Sequence, residues 1–216
     1  MARAPVLTSQ PLLPLLAGSS VDIAPRLLGA LVHGRGVTVR LTEIEAYRGE
    51  TDPGSHAFRG PTPRTRIMFE RPGTLYVYFS YGMHVCANIV TSPFGEASAV
   101  LLRAGEVVDG IELARSRRVT SKTDADLARG PARLCVALGI TLADDGDDLQ
   151  SGPIRLELPD AATPPLAFAQ GPRTGVSGAG GSEEYPWRFW IPGDPTVSPY
   201  KKSPPKGGDK GQKVPR

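Results

Sequence analysis

The sequence lacks several features that whole classes of protein need. Its 216 residues include two cysteines, Cys86 and Cys135, too few for a disulfide framework or a four-cysteine zinc site. No apolar run reaches 18 residues, so we expect no helix that spans a membrane. Lysine is missing from residues 1–119, which leaves that part of the chain without the amine that a Schiff-base mechanism needs. Two free cysteines favour a reduced, cytoplasmic setting.

Glycine and proline are abundant, with 25 and 22 residues. This is about twice the average usage and favours many turns and short elements over a helical bundle or a coiled coil. Strands are expected at 37–47 and 97–104 and in a hairpin over 74–90, whereas helices are expected at 107–117 and 127–138. Since strands and helices do not alternate regularly, the chain is predicted to form a single α+β domain. Its sheet should be curved and mainly antiparallel, with flanking helices and a protruding β-hairpin.

Charge is divided unevenly along the chain. The net charge is +3, but the segment from Tyr200 onward holds six basic residues and one acid, so the rest of the chain is slightly acidic. The expected organisation is a partly ordered N-terminal segment at 1–19, one domain at 20–199 and a basic, disordered tail at 200–216. The tail is either a solvated end or a source of salt-dependent attraction to phosphates.

The predicted strand 37–47 carries two carboxylates. A period of two places alternate residues from Val37 to Tyr47 on one face, so three apolar side chains lead into Glu43, Glu45 and Tyr47. The opposite face, with Thr38, Arg40 and Thr42, is expected to be more solvated. A carboxylate on the apolar side of a sheet must be paired, neutral or functional. Two interpretations stay open: a structural Glu–Arg pair, or a general base where the strand ends at a cleft.

The predicted loop at 48–73 is rich in arginine. It contains His56 together with Arg59, Arg64, Arg66 and Arg71. These arginines are interleaved with glycine and proline, so they either follow a phosphate backbone or form local ion pairs.

The predicted hairpin is rich in tyrosine, and its register is open. A three-residue turn pairs Tyr78 with Cys86 and Tyr76 with Asn88, which places Tyr78 and Asn88 on one face; a two-residue turn separates them. Tyr76 and Tyr78 also fit ordinary packing on a sheet. Tyr81 falls at the turn, where a large aromatic side chain stays exposed for contact with another molecule.

These features together match the needs of an enzyme that extrudes a base from a duplex. A carboxylate provides the chemistry, aromatic faces hold the extruded base, and an inserted side chain fills the gap. Arginines hold the phosphates. A non-catalytic nucleic-acid-binding module and a small-molecule hydrolase are the alternatives.

Long motifs carry a resemblance to a known family. In chain order they are TEIEAYRGETDPGSHAFRG, TPRTRIMF, RPGTLYVYFSYGMHVCANIV, VLLRA, LARGPARLCVALGI and GPRTGVS. The chain from about residue 20 to 200 resembles the alkyladenine (3-methyladenine) DNA glycosylases of the monofunctional, purine-excising type. The resemblance implies a monomer that acts on double-stranded DNA containing damaged purines, without a cofactor, a metal or a membrane. In a bacterium it implies a cytoplasmic, nucleoid-associated protein.

The resemblance also implies a role for each matching residue. Glu45 matches the general base that activates water, and Arg103 matches a basic residue that helps to hold the water and the phosphate. Asn88 matches the residue that excludes the 2-amino group of guanine, and Tyr81 matches the side chain inserted into the DNA. Tyr47, His56 and Tyr78 match the rest of the base pocket. Arg59, Arg64 and Arg66 are expected on the DNA backbone. His84 stands where some relatives carry tyrosine, so the range of lesions stays open.

Overall fold

The structure is a computed structural model that describes residues 12–80, 82–159 and 166–203. The α-helices are α1 (Leu12–Leu16), α2 (Ser20–Ile23), α3 (Ile111–Arg117) and α4 (Pro131–Leu138). The strands are β1 (Leu31–Gly34), β2 (Val37–Tyr47), β3 (Leu75–Ser80), β4 (His84–Val90), β5 (Ala99–Asp109), β6 (Ile154–Glu157), β7 (Ala169–Gly171) and β8 (Arg188–Trp190). Short 3-10 helices lie at Ala24–Leu27, Gly49–Thr51, Arg66–Phe69, Asp124–Asp126, Leu142–Asp144 and Ala179–Gly181.

The eight strands of the described residues form one antiparallel sheet. The main strand order is β3-β4-β5-β2-β1-β6. The short strands β7 and β8 pair with each other, and β8 also pairs with the second half of β2, after the part of β2 that pairs with β1. The long central strands β2 and β5 let the sheet curl into a half-barrel, since strands twist and bulges add curvature. The predicted α+β fold with a curved antiparallel sheet is therefore confirmed.

Strand β2 changes the face that it presents to the core. Val39 and Leu41 lie in the core, and so do Ile44 and Ala46, so the core-facing side passes from odd to even positions. The pairing of β2 with β5 is irregular between Leu41 and Ile44, which is the mark of a β-bulge. The prediction of one continuous face from residue 37 to 47 is therefore wrong. Beyond the bulge, the odd positions leave the core and face a cavity.

Thr42 is also buried, contrary to the expectation of a solvated side chain. Its hydroxyl lies 2.7 Å from the hydroxyl of Thr196, in a C-terminal segment that packs against β2. The period-two pattern did not predict this burial, because the segment that packs over Thr42 is more than 150 residues away in the chain.

The hairpin adopts the three-residue alternative. Ser80 pairs with His84, Tyr78 with Cys86 and Tyr76 with Asn88. Tyr78 and Asn88 therefore lie on the same face. Tyr81 lies outside the described residues.

The helices pack against the core-facing side of the sheet. Leu134 and Leu138 of α4 are fully buried in the main core, against β4 and β5. Helix α3 begins at Ile111 rather than 107 because β5 continues to Asp109. Helix α4 begins at Pro131 rather than 127, with proline in its first turn.

The described N-terminal residues take part in the core, where Leu12 and Leu16 of α1 are buried. The domain limits at 19/20 and 199/200 stay predictions, and most of the predicted tail lies outside the described residues. Within the described parts of the chain, no helix has the length and hydropathy to cross a membrane.

Candidate active site

A cavity of about 520 Å³ opens where the hairpin, the ends of β2 and β5 and two loops meet. The structure brings together six residues that the sequence analysis assigned to chemistry or base binding: Glu45, Tyr47, His56, Tyr78, Asn88 and Arg103. They come from four strands and the loop after β2, so the curl of the sheet is what assembles them.

Glu45 lies in the cavity wall with its carboxylate held from three directions. Oε1 accepts a hydrogen bond from the backbone N–H of Thr174 at 2.6 Å and lies 3.4 Å from Nη1 of Arg103. Oε2 accepts a hydrogen bond from the Tyr47 hydroxyl at 2.9 Å. Each carboxylate oxygen has two acceptor positions, so the hydrogen bonds of the described residues leave one position on Oε2. The side chain is 0% exposed, and Glu45 forms part of the cavity wall.

Glu43 has a different environment, although it lies only two residues away. Its Oε1 accepts hydrogen bonds from Nε of Arg103 at 2.9 Å and from Nε of Arg188 at 2.6 Å. The side chain is fully buried, and it does not line the cavity. The structural Glu–Arg pair left open by the sequence is thus realised at Glu43.

Tyr47 is fixed by a group that sequence reasoning missed. The guanidinium of Arg173 lies 4.5 Å from the centre of the Tyr47 ring and forms a two-pronged ion pair with Asp52, at 2.5 and 2.6 Å. Both partners of the ion pair are fully buried. Burial, and secondarily the charge of Glu45, raise the pKa of Tyr47 well above its ordinary value. Its hydroxyl therefore remains a hydrogen-bond donor at neutral pH.

Arg173 also supports the loop that touches Glu45. Its Nη1 donates to the carbonyl of Ala46 at 2.9 Å, and its Nη2 donates to the carbonyl of Gly180 at 2.7 Å. Because Thr174 follows directly, this anchoring fixes the N–H that reaches Glu45. The GPRTGVS motif marked this segment as functional, but nothing in the sequence indicated Asp52 as the partner.

Thr174 is a second residue that the sequence did not single out. Its side-chain hydroxyl is buried in a residue that lines the cavity, and it has no hydrogen-bond partner among the described residues. An unsatisfied buried hydroxyl costs about 1–3 kcal/mol, so such a group usually has a role or an unseen partner.

Three aromatic rings form one wall of the cavity. Tyr76 stacks on Tyr78 with ring centres 5.5 Å apart, and His56 meets Tyr78 edge-on at 4.6 Å. Burial raises the pKa of Tyr78 far above its ordinary value, so it stays neutral. Asn88 donates from its side-chain amide to the carbonyl of Tyr76 at 3.1 Å, which fixes its orientation at the edge of this wall.

His56 is held in its neutral form. The residue keeps an exposed side, but partial burial of the ring against the tyrosines lowers its pKa from 6.5 to about 4, and the charge of Arg64 adds to the effect. Nη2 of Arg64 lies 3.5 Å from Nε2 of His56, and Nδ1 lies 3.3 Å from the Tyr76 hydroxyl. If Arg64 donates to Nε2, the ring hydrogen sits on Nδ1 and points toward Tyr76.

The loop arginines divide into two groups. Arg71 forms an ion pair with Asp148 at 2.6 Å, so the alternative of a local pair applies to it. Arg59, Arg64 and Arg66 are exposed, and none of them has an ion-pair partner within 4.0 Å among the described residues. Arg64 reaches the cavity mouth, 5.3 Å from the centre of the Tyr78 ring.

The tip of the hairpin is apolar and exposed. Phe79 near the end of β3 is 47% exposed, and Met83, which directly precedes β4, is 69% exposed. The predicted insertion of Tyr81 into DNA stays a prediction. Across the described ranges, no cluster of three or more His, Cys, Asp or Glu side chains is arranged to hold a metal ion.

Comparison with known proteins identifies the family of the chain. Residues 15–195 match the model of the methylpurine-DNA glycosylase family. A relative from Leifsonia xyli subsp. xyli, named "Putative 3-methyladenine DNA glycosylase", is 55% identical over 94% of this chain and 98% of its own. Proteins with the same name from Streptomyces avermitilis and Mycobacterium tuberculosis are 52% and 48% identical, covering 86% and 87% of this chain and 89% and 93% of theirs. The chain belongs to the methylpurine-DNA glycosylase family, so it is a DNA glycosylase and its macromolecular partner is DNA.

Proposed function

We propose that this protein removes alkylated or deaminated purines from double-stranded DNA by hydrolysing the N-glycosidic bond with a water molecule activated by Glu45. The lesions would be of the 3-methyladenine, 7-methylguanine and hypoxanthine type. The observation that carries the proposal is the Glu45 carboxylate, which has one acceptor position left at an aromatic-walled cavity of about 520 Å³.

The chemistry follows from the charge that develops during cleavage. As the bond between sugar and base breaks, positive charge builds on the deoxyribose. Ionised Glu45 would stabilise that charge and accept a proton from the water that attacks the anomeric carbon, as a general base does in inverting glycosidases. Arg103 and the Tyr47 hydroxyl would hold the carboxylate in position for both tasks.

The leaving group decides how much further help is needed. A purine alkylated at N3 or N7 already carries positive charge and leaves without being protonated. Hypoxanthine is neutral and would need a proton donor, for which we assign no residue. Water alone completes the reaction, so no metal, cofactor or lysine is required. The product is an abasic site, without strand cleavage by a lyase step.

The cavity wall supports base flipping as the route to the lesion. Tyr47, His56 and Tyr78 would hold the extruded purine, and stacking on an aromatic side chain contributes about 1–3 kcal/mol per base. Damaged pairs open more easily by a few kcal/mol, which adds selectivity before chemistry. Asn88, fixed by its bond to Tyr76, would crowd the 2-amino group of guanine-type bases and so disfavour undamaged guanine. 7-Methylguanine would be removed in spite of this crowding, because its positive charge makes it a better leaving group.

The surface around the cavity fits a duplex. Tyr81 would insert into the space that the flipped base leaves, and the unpaired cations of Arg59, Arg64 and Arg66 would neutralise phosphates. We further propose that the protein acts as a monomer and, in a bacterium, in the cytoplasm at the nucleoid.

A gel assay for abasic sites tests this proposal. Purified protein is incubated with matched duplexes that carry 3-methyladenine-type lesions, hypoxanthine or no damage, and the products are treated with alkali. We expect strand breaks only with a lesion and only after alkali treatment. Binding without abasic sites would instead support a non-catalytic DNA-binding module, and cleavage of free nucleosides but not of duplex would support a small-molecule hydrolase.

A Tyr81→Ser variant should bind the lesion duplex less tightly, and wild-type binding would refute the insertion role.

A further inference from the structure

Behind the cavity lies a fully buried carboxylate that the proposed reaction does not use. Glu43 accepts hydrogen bonds from four donors: three of them reach Oε1, and the backbone N–H of Ser198 reaches Oε2 at 2.6 Å. The third donor to Oε1, after Arg103 and Arg188, is the hydroxyl of Ser198 at 3.0 Å. Burying a charged group costs much free energy unless hydrogen bonds and opposite charges compensate for the lost water. The ionic cluster around Glu43 therefore depends on the position of each of these donors.

Ser198 belongs to a segment that we call the C-terminal strap, residues 194–201. The strap is fastened to the sheet along its length. Asp194 pairs with Arg40 at 3.1 Å, and the carbonyl of Val197 accepts a hydrogen bond from Arg129 at 2.8 Å. At its far end the carbonyl of Lys201 accepts the backbone N–H of Gly175 at 3.0 Å, next to the residue whose N–H holds Glu45.

Arg103 connects this cluster to the cavity. Its guanidinium donates from Nε to Glu43 and from Nη2 to the Ser198 hydroxyl at 3.1 Å. These two bonds occupy two corners of a planar group, which fixes its plane and leaves Nη1 directed at Glu45 at 3.4 Å. Without them, the guanidinium would be free to rotate and form a two-pronged bond with Glu45.

We propose that Glu43, together with Ser198 of the C-terminal strap, positions Arg103 so that it touches the Glu45 carboxylate at one corner and leaves an acceptor position free for water. This inference rests on the proposed function. It predicts that bond cleavage depends on two residues that do not line the cavity, while binding of lesion DNA does not.

Glu43→Gln is the variant that tests the role of the carboxylate. Glutamine has one acceptor oxygen, so its NH₂ group must face either the arginines or the Ser198 N–H, and a donor then meets a donor. Either outcome loosens the hold on Arg103. Because a displacement of about 1 Å costs up to about a hundredfold in rate, we expect the single-turnover excision rate to fall roughly tenfold to a hundredfold.

The experiment measures this rate and the Kd for a lesion duplex separately, at a temperature where unfolding curves show the variant to be folded. Asp144→Asn is the control. Like Glu43, Asp144 is a buried carboxylate that is held by an arginine and does not line the cavity, but its hydrogen bonds go to Arg35 and Thr141 rather than to Arg103. We expect Glu43→Gln to lower the rate with little change in Kd, and Asp144→Asn to lower stability only.

A double-variant comparison separates positioning from general damage. If Glu43 acts through Arg103, adding Glu43→Gln to Arg103→Met should reduce the rate by no more than about threefold. An additive loss would overturn the proposal, as would a folded Glu43→Gln protein with a wild-type rate or an equal change in rate and Kd.

Ser198→Ala keeps the test valid if Glu43→Gln does not fold. It removes the bonds of the hydroxyl to Glu43 and Arg103 but keeps the backbone bond, so a smaller fall in rate, roughly threefold to tenfold, is expected. An unchanged rate would refute the role of the strap. If the wild-type protein excises no purine lesion, the proposed function itself fails, which is a different result from an active wild type with active variants.

Discussion

The buried ion pair between Arg173 and Asp52 is predicted to contribute strongly to the stability of the protein, and a single substitution tests this. Each oxygen of Asp52 accepts one guanidinium hydrogen bond and one backbone hydrogen bond, from the N–H groups of Arg48 and Gly54. In Asp52→Asn the new NH₂ group must replace one of these oxygens, whichever way it is turned. It then faces two donors, and Arg173 loses its counter-charge in a fully buried position.

The expected cost follows from that burial. Removing one partner of a buried ion pair costs about 3–5 kcal/mol, because the other charge is left uncompensated. For a chain of this length, about 3–5 kcal/mol lowers Tm by roughly 6–20 °C. The measurement is urea denaturation of wild type and variant, followed by circular dichroism, with the slope checked for change.

Asp124→Asn is the matched control. Asp124 also forms a two-pronged bond with an arginine, Arg115, but both side chains are about half exposed. Exposed pairs contribute little to stability, so its denaturation midpoint should stay near that of wild type. If the two variants shift the midpoint equally, burial is not what makes the Arg173–Asp52 pair important and the reasoning is refuted.

Four further predictions concern the cavity and its rim. The His56 ring should titrate by NMR with a midpoint near 4, and a midpoint of 6.5 would contradict the argument that burial lowers its pKa. Because His56 takes up its proton near pH 6.5 in the unfolded chain, the free energy of unfolding should fall as the pH drops from 6.5 toward 4. Thr174→Val removes an unsatisfied hydroxyl, so unfolding should cost about 1 kcal/mol more than in wild type; a loss of stability in urea would mean that the hydroxyl has a partner. Tyr78→Ala should weaken lesion-duplex binding by about 1–3 kcal/mol by fluorescence anisotropy while Tyr78→Phe keeps it, and equal losses would rule out stacking. Arg59→Gln should reduce the slope of log K against log salt by about 0.9, and an unchanged slope would place Arg59 away from the phosphates.

Much of the architecture was predictable because local patterns carry it. Alternation and turn residues located β2 and the hairpin, and the lack of regular strand–helix alternation indicated an antiparallel α+β fold. The bulge near Glu43 has no glycine or proline on β2 itself. Gly105 lies opposite Leu41 on β5, beside the bulge, but the predicted strand ended at residue 104, so the sequence analysis did not use this signal. A period of two counts positions along a straight strand, so the change of face at the bulge escaped it.

The sequence indicated which residues line the candidate site, but it did not indicate the ion pairs and hydrogen bonds that hold those residues in place. The motifs pointed to Glu45 and Arg103, and the structure brings them within 3.4 Å. The supporting contacts of Arg173 with Asp52 and of Glu43 with Ser198 join positions more than 120 residues apart. Pairings at such distances depend on how the sheet curls, and one sequence read locally contains no signal for them.

The measurement that bears most directly on the central claim is single-turnover excision by Glu45→Gln on a duplex that carries one purine lesion, beside its Kd for the same duplex. Glutamine keeps the size of the side chain but cannot accept a proton from water, so binding should persist while abasic-site formation is lost. A Glu45→Gln protein that excises the lesion at the wild-type rate would contradict the account.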